Sequence, residues 1–392
     1  VNVQKRKTRG INMLGGLKHL AGAGAVAALA LTAALPLAGP AQAADTIVIG
    51  VIQPFTGAIA AYGQNTMNAL NLVLKEKGDT FGGRKIEFVQ LDDQCTPSNA
   101  VEAANRIIDR AVAVVGPSCS GDMAAVQPIL KEAKIPHFTP AYLPTLSAQG
   151  DDYFFRATPG DGPLIRALAA YIKAQGKSKI ALAYDTTGFG VGEKDAFLAA
   201  LKEFGMADPV VTLSYDFSVT DFSGQIGKIQ SSGADAVVVL SYENLQGLFV
   251  KQAQQLGLEI PIFCGTAAAE PEFLDIGGAS ANGVVYSAAY STDDPATAEF
   301  TKAYQAAYGK TPSVVQVSAA IAMYALADIW TRQGPDVKGE ALRDELKKLH
   351  LKTPAGTAAW TVNGEPADSF AILQTVQDGK VVTVKRESIK AE

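Results

Sequence analysis

Histidine, cysteine and tryptophan are scarce in this chain of 392 residues: three, three and two. A metal centre ordinarily gathers Cys or His at short spacing. His19, His137 and His350 have no such neighbours, so no metal site is expected. C-x-x-C is absent, which removes the usual dithiol redox motif. G-x-S-x-G is absent too, and with it the nucleophile elbow of α/β hydrolases. The first apolar strand leads into PFTGAIAAYGQ, which lacks G-x-G-x-x-G. The run Gly188-Phe189-Gly190-Val191-Gly192 matches that fingerprint only in part and reads more simply as a turn entering a helix. A net charge of −5 without a basic patch argues against a nucleic-acid partner. No cofactor and no catalytic residue is expected.

What is present begins with a basic lead. Lys5, Arg6, Lys7, Arg9 and Lys18 precede an apolar stretch from Leu20 to Leu37, which closes on Ala41-Gln42-Ala43. These are the three parts of a secretory signal. The expectation is a signal peptide over residues 1–43, cleavage after Ala43, and export to the periplasm. Translation could start at Val1 or at Met13. No second long apolar span follows.

Export bears on the cysteines, because disulfides persist in oxidising compartments. Cys95 follows the strand-like run KIEFVQLDD, and Cys119 follows the next one, AVAVVG. Adjacent parallel strands bring their C-terminal ends together, so a Cys95–Cys119 bridge is expected. Asp92 and Asp93 then read as a strand end beside a disulfide rather than an acid/base pair. Cys264, at the end of PIFC, reads as a small buried hydrophobe.

Apolar runs stand at 46–53, 85–91, 111–116, 135–140, 179–185, 209–215, 235–242, 260–265 and 282–289. Amphipathic helical patterns separate most of them, for example Asn65 to Lys77, Ser98 to Arg110 and Asp122 to Ala133. Continuous apolar strands alternating with helices mean parallel sheets covered on both faces. The series is too long for one sheet of usual width, so two are expected. A mostly helical block from Pro295 to Leu349 follows, and then short strands from Thr357 onward.

The stretch IGVIQPFTGAIAAYGQNTMNALNLVL resembles the opening of the leucine/isoleucine/valine-type periplasmic binding proteins. GGRKIEFVQLDDQCTP, VVGPSCSG, IPHFTPAY, YFFRATPGDG, KIALAYDTTGFGVG, DAVVVLSY and QAQQLGLEIPIFCG continue the resemblance in order over nearly the whole exported chain. It implies an α/β fold of two Rossmann-like lobes with parallel sheets, joined by three hinge crossovers. Lobe 1 would take residues 44–157 and 290–352, and lobe 2 residues 158–289 and 353–392. The implied role is capture of a small amino acid of branched-chain type for an ABC importer, with its permease in the inner membrane as partner. The family's two early cysteines form a disulfide, in agreement with the pairing above.

In open parallel sheets, ligands bind beyond the C-terminal ends of the strands. There SCSGD runs into a helix. Its free backbone N–H groups and the Ser120 hydroxyl suit a carboxylate, although Ser120 could also simply cap the helix. The resemblance adds the backbone N–H of Ala141, the ligand-facing Tyr242, and Phe189 where relatives carry a tyrosine. It also aligns Asp161 with an aspartate that binds the ligand's amino group in related receptors. Tyr62 and Tyr142 would line the apolar part. Two departures weaken the amino-acid reading. Leu143 replaces a threonine, and Ala267 stands where the family's ammonium-pairing glutamate would fall, with Glu270 three residues on. An aromatic or aliphatic carboxylate, or an amide, is therefore the alternative ligand. An exported α/β enzyme and a sensor on the same fold are the competing classes.

Overall fold

The computed structural model describes residues 46–389. The expected signal segment and its cleavage position lie outside them. The chain first builds lobe 1: β1 (Ile47–Gln53), α1 (Ala61–Lys77), β2 (Thr80–Phe81), β3 (Arg84–Asp92), α2 (Pro97–Ile107), β4 (Ala113–Val115), α3 (Ser120–Glu132), β5 (His137–Thr139) and β6 (Phe154–Arg156). The sheet order is β2-β3-β1-β4-β5-β6, parallel except for the β2–β3 pair. All seven residues of β1 are buried, as a central strand covered on both faces requires.

Lobe 2 follows: α4 (Asp161–Ala174), β7 (Ile180–Asp185), α5 (Gly188–Glu203), β8 (Val211–Tyr215), α6 (Ser223–Ser231), β9 (Ala236–Leu240), α7 (Glu243–Gln255), β10 (Ile262–Cys264), α8 (Pro271–Gly277) and β11 (Val285–Ala288). The chain then returns to lobe 1 with α9 (Ala298–Tyr308), α10 (Val314–Gln333), α11 (Gly339–Lys348), β12 (His350–Thr353) and β13 (Gly356–Ala359). Finally β14 (Ser369–Gln377) and β15 (Lys380–Ile389) complete the second sheet, ordered β15-β14-β11-β10-β9-β7-β8. The last two strands are antiparallel additions to a parallel sheet.

The chain thus passes between the lobes three times: after β6, after β11 and before β14. The hairpin β12–β13 straddles the 352/353 boundary expected from the sequence. Ala355, Ala358 and Trp360 share the core of lobe 1 with α10. The Trp360 Nε1 donates to the Arg156 carbonyl at 2.8 Å, and its ring packs on Phe155 at 5.2 Å. The third crossing therefore follows Trp360.

Helix α10 has the hydropathy and length of a membrane span, yet 89% of its most apolar window is buried inside the fold. It packs against α1 and fills lobe 1 with Ile321, Met323, Leu326, Ile329 and Trp330. Its start carries a capping box, with the Ser313 N–H donating to the Gln316 side chain at 2.9 Å.

Cys95 and Cys119 are joined by a disulfide, and Cys264 is free and buried. The bridge ties the loop after β3 to the residue preceding α3. Between β4 and that helix, Gly116 has a φ of 102°, and a Cβ there would lie 1.9 Å from the Ile52 carbonyl oxygen. Only glycine fits, and the turn it allows delivers Ser118 to Ser120 to the end of the sheet.

Thiol titration of the denatured, unreduced protein should find one reactive group, Cys264; three would contradict the bridge. The bridge closes a separation of 24 residues, so its reduction should lower stability by about 3 kcal/mol in urea titrations. Trp330 is buried against Phe81, and its Nε1 donates to the Val337 carbonyl at 3.1 Å. Trp330→Ala should cost about 3–5 kcal/mol by the same measurement.

Candidate functional site

The C-terminal ends of both sheets face one cleft. Lobe 1 contributes the start of α3, the loop after β5 and the first turns of α1 and α10. Lobe 2 contributes the starts of α5, α7 and α8. The enclosed space is about 20 Å³ in this closed arrangement, enough for about one water molecule. Entry of a solute therefore requires the lobes to part and the lining rings to shift.

Ser118 and Ser120 lie on the lobe 1 wall. Helix α3 begins at Ser120, and Cys119 occupies the capping position without a side-chain bond. The Ser120 hydroxyl accepts from the Leu143 N–H at 3.3 Å, which leaves its own hydrogen free to donate. Ser118 is buried with no partner for its hydroxyl. It was not singled out from sequence as a ligand residue, although it belongs to the same short stretch as Ser120.

Four aromatic residues named from sequence converge here. Tyr62, Tyr142, Phe189 and Tyr242 all line the cavity. Phe189 packs on Tyr242 at 4.8 Å within lobe 2 and on Tyr142 at 6.3 Å across the cleft. The Tyr242 hydroxyl lies 3.5 Å from the Cys95 sulfur of lobe 1. The Tyr62 hydroxyl donates to Glu243 of lobe 2 at 2.8 Å. Around the cavity the two lobes thus meet through aromatic rings and the Tyr62–Glu243 hydrogen bond.

Two residues named from sequence are engaged elsewhere. The Ala141 N–H donates to the Thr139 hydroxyl at 2.9 Å and is not offered to the cavity. Asp161 opens α4, is fully buried, and does not line the cavity. Its Oδ1 lies 3.1 Å from the Thr266 hydroxyl, whose oxygen is also 2.7 Å from Glu193. Thr266 has one hydroxyl hydrogen for two carboxyl groups, so a proton held by one of them satisfies the arrangement. Burial pushes Asp161 up to about 7, against the lowering effects of Thr266 and Arg156.

Glu270 does line the cavity, beside Ala267. It is 3% exposed, and its Oε2 has no partner. Burial, reinforced by Glu243, holds its carboxyl well above the usual range. Glu243 itself is pushed up to about 7 by burial, with the Tyr62 hydroxyl pulling the other way. Behind the α3 start, burial raises Asp93 to about 7 and Asp122 to about 8. None of the lining residues is Lys, Arg or His. The cavity therefore has an acidic end at Glu270 and a hydrogen-bond-donating end at Ser118, Ser120 and the α3 N-terminus. A larger groove of about 420 Å³ lies at the crossovers, bounded by Pro144, Gly160, Arg166 and Glu365; none of the residues expected from sequence lines it.

Residues 46–380 match the model of the periplasmic binding protein family. The chain is 30% identical over 372 residues to a Leu/Ile/Val-binding protein homologue of Brucella melitensis, covering 91% of this chain and 98% of the relative. The fold superposes on a leucine-binding protein of Thermotoga maritima with a TM-score of 0.79 and 28% identity, over 87% and 98% of the two chains. A solute-binding protein from R. palustris in complex with benzoate gives a TM-score of 0.82 at 22% identity, over 88% and 98%. The chain belongs to the periplasmic binding protein family, in the company of its leucine/isoleucine/valine-type members.

Proposed function

We propose that this chain is the extracytoplasmic solute receptor of an ABC importer and that it captures a small zwitterion, an amino acid of branched-chain type, between its lobes. One observation carries the reading: a buried Glu270, its Oε2 without a hydrogen-bond partner, stands in a cavity whose other wall offers Ser118, Ser120 and a helix N-terminus. A free carboxylate suits the donor wall, where charge-assisted bonds contribute about 1.5–3 kcal/mol each. An ammonium suits Glu270, which otherwise is buried without a counter-charge. The rings of Tyr62, Tyr142, Phe189 and Tyr242 would enclose an apolar side chain. Asp161, the ammonium partner expected from sequence, supports the site through Thr266 rather than touching solute. The working location is the periplasm, after removal of residues 1–43, and the partner is an inner-membrane permease.

A carboxylate without an amine is the second reading, favoured by the donor wall alone. The two differ at Glu270. Titration calorimetry with L-leucine, L-isoleucine, L-valine and benzoate should give binding to the amino acids. Glu270→Gln should weaken it by about 1.5–3 kcal/mol. Ser120→Ala should cost less, because backbone donors remain. Tight benzoate binding that survives Glu270→Gln would replace the amino-acid reading with the carboxylate one.

The pH dependence separates the readings independently. A solute without a cation leaves Glu270 to be buried alone on closure, and its raised pKa then demands proton uptake. Affinity for such a solute should fall as pH rises above the ordinary carboxylate range. An ammonium keeps Glu270 ionised and no proton is taken up there; Glu243, pushed up to about 7 by burial beside Tyr62, still takes up its share, so affinity should fall less steeply than for the solute without a cation. Calorimetry between pH 5.5 and 8.5, in buffers of different ionisation enthalpy, reads both the slope and the proton count.

A further inference from the structure

The glycine run 188–192 lies at the start of α5, on the face of lobe 2 that meets lobe 1. Its three glycines meet different neighbours. A Cβ on Gly190 would lie 2.4 Å from the Asp185 carbonyl oxygen, within its own lobe. A Cβ on Gly192 would lie 2.6 Å from the end of the Leu143 side chain in lobe 1. A Cβ on Gly188 would lie 3.1 Å from Cα and 3.2 Å from N of Gly121, in the first turn of α3. That last contact is backbone against backbone. Leu143 can swing aside for a methyl group at position 192, but the α3 start cannot yield in the same way. Gly188 has no positive φ, so its own backbone does not require glycine.

We propose that Gly188 is the closure stop of the cleft: its bare Cα against Gly121 sets how near the lobes come, and thereby how small a solute they enclose. Phe189, the next residue, is the ring that spans from Tyr242 to Tyr142. A wedge at 188 therefore moves the lid ring of lobe 2 away from lobe 1. The proposal rests on the capture reading for its consequence and on the Gly188–Gly121 approach for its geometry.

The sign of the effect distinguishes this role from a structural one. Alanine is a better helix former than glycine, so Gly188→Ala should leave the melting temperature of the solute-free protein unchanged or raised. The same substitution should weaken L-leucine about tenfold, and Gly188→Val more, as expected for overpacking at a tight contact. Gly190→Ala, whose clash is internal to lobe 2, should instead lower the melting temperature. Gly224→Ala, where a Cβ meets nothing within 4 Å, should do neither.

A measurement without solute decides the geometry directly. Spin labels at Glu102→Cys on α2 and Lys202→Cys on α5, both exposed, report the interlobe distance by pulsed electron resonance. Sucrose, excluded from protein surfaces, favours the closed form. The shortest separations reached by the native sequence should be missing in Gly188→Val, with Gly188→Ala, whose Cβ asks Gly121 to give by only a few tenths of an ångström, falling between the two. Equal shortest separations in all three proteins would overturn the proposal. So would a drop in solute-free melting temperature that accompanies the loss of affinity. Failure of the native sequence to bind L-leucine would end the amino-acid reading, while the distance measurement would still decide the role of Gly188.

Discussion

One face of the first sheet depends on burying helix α10. Sixteen of its twenty residues are buried, and its apolar side chains fill the space between α1 and the first sheet. Helix α1 covers part of the same face beside α10, while α2 and α3 cover the other. The chain must therefore leave lobe 1, build most of lobe 2, and come back. Strands β14 and β15 create the mirror-image demand, since the second sheet is finished by residues that follow α10. Three crossings, and a cleft lying between two separately packed cores, are the outcome of those two packing requirements.

The cleft itself is dominated by desolvated acids. Asp93 and Asp122 stand behind the donor helix, Glu243 and Glu270 face them from lobe 2, and Asp161 shares Thr266 with Glu193. Burial is the leading cause of every upward shift among these groups. An isolated carboxylate is costly away from water, so the closed arrangement favours neutral carboxyls or a cation among them. The only buried arginine near the crossovers, among the described residues, is Arg156. It is occupied by the carbonyls of Tyr142 and Leu143 and by Glu365 at 3.4 Å.

Much of the fold was legible because parallel strands buried on both faces leave continuous apolar runs. All nine such runs coincide with strands. Strand β6 left no such trace: Phe154-Phe155-Arg156 ends on a charged residue, and that arginine is buried by tertiary contacts. The burial of α10 could not be read either, since its composition suits a core helix and a membrane span alike. In the site, Ser120 and Tyr142, which follow strands, Phe189 and Tyr242, which the resemblance named, and Tyr62 of α1 line one cavity. Ala141 and Asp161 do not reach it. A neighbouring threonine takes the N–H of the first, and the second points toward Thr266; both facts depend on side-chain placement that spacing does not encode. Glu270 lines the cavity three residues after Ala267, across the short 3-10 turn Thr266–Ala269 that precedes α8.

The late position of α10 also governs the order in which this protein can become solid. The last strand of lobe 1 ends at Arg156 and α10 ends at Gln333, so roughly 180 residues, or roughly ten to thirty-five seconds of synthesis at typical rates, separate a sheet from its cover. During that interval the face of the first sheet that α10 will cover has only α1 beside it. The core on that face is complete only once the far third of the chain has arrived.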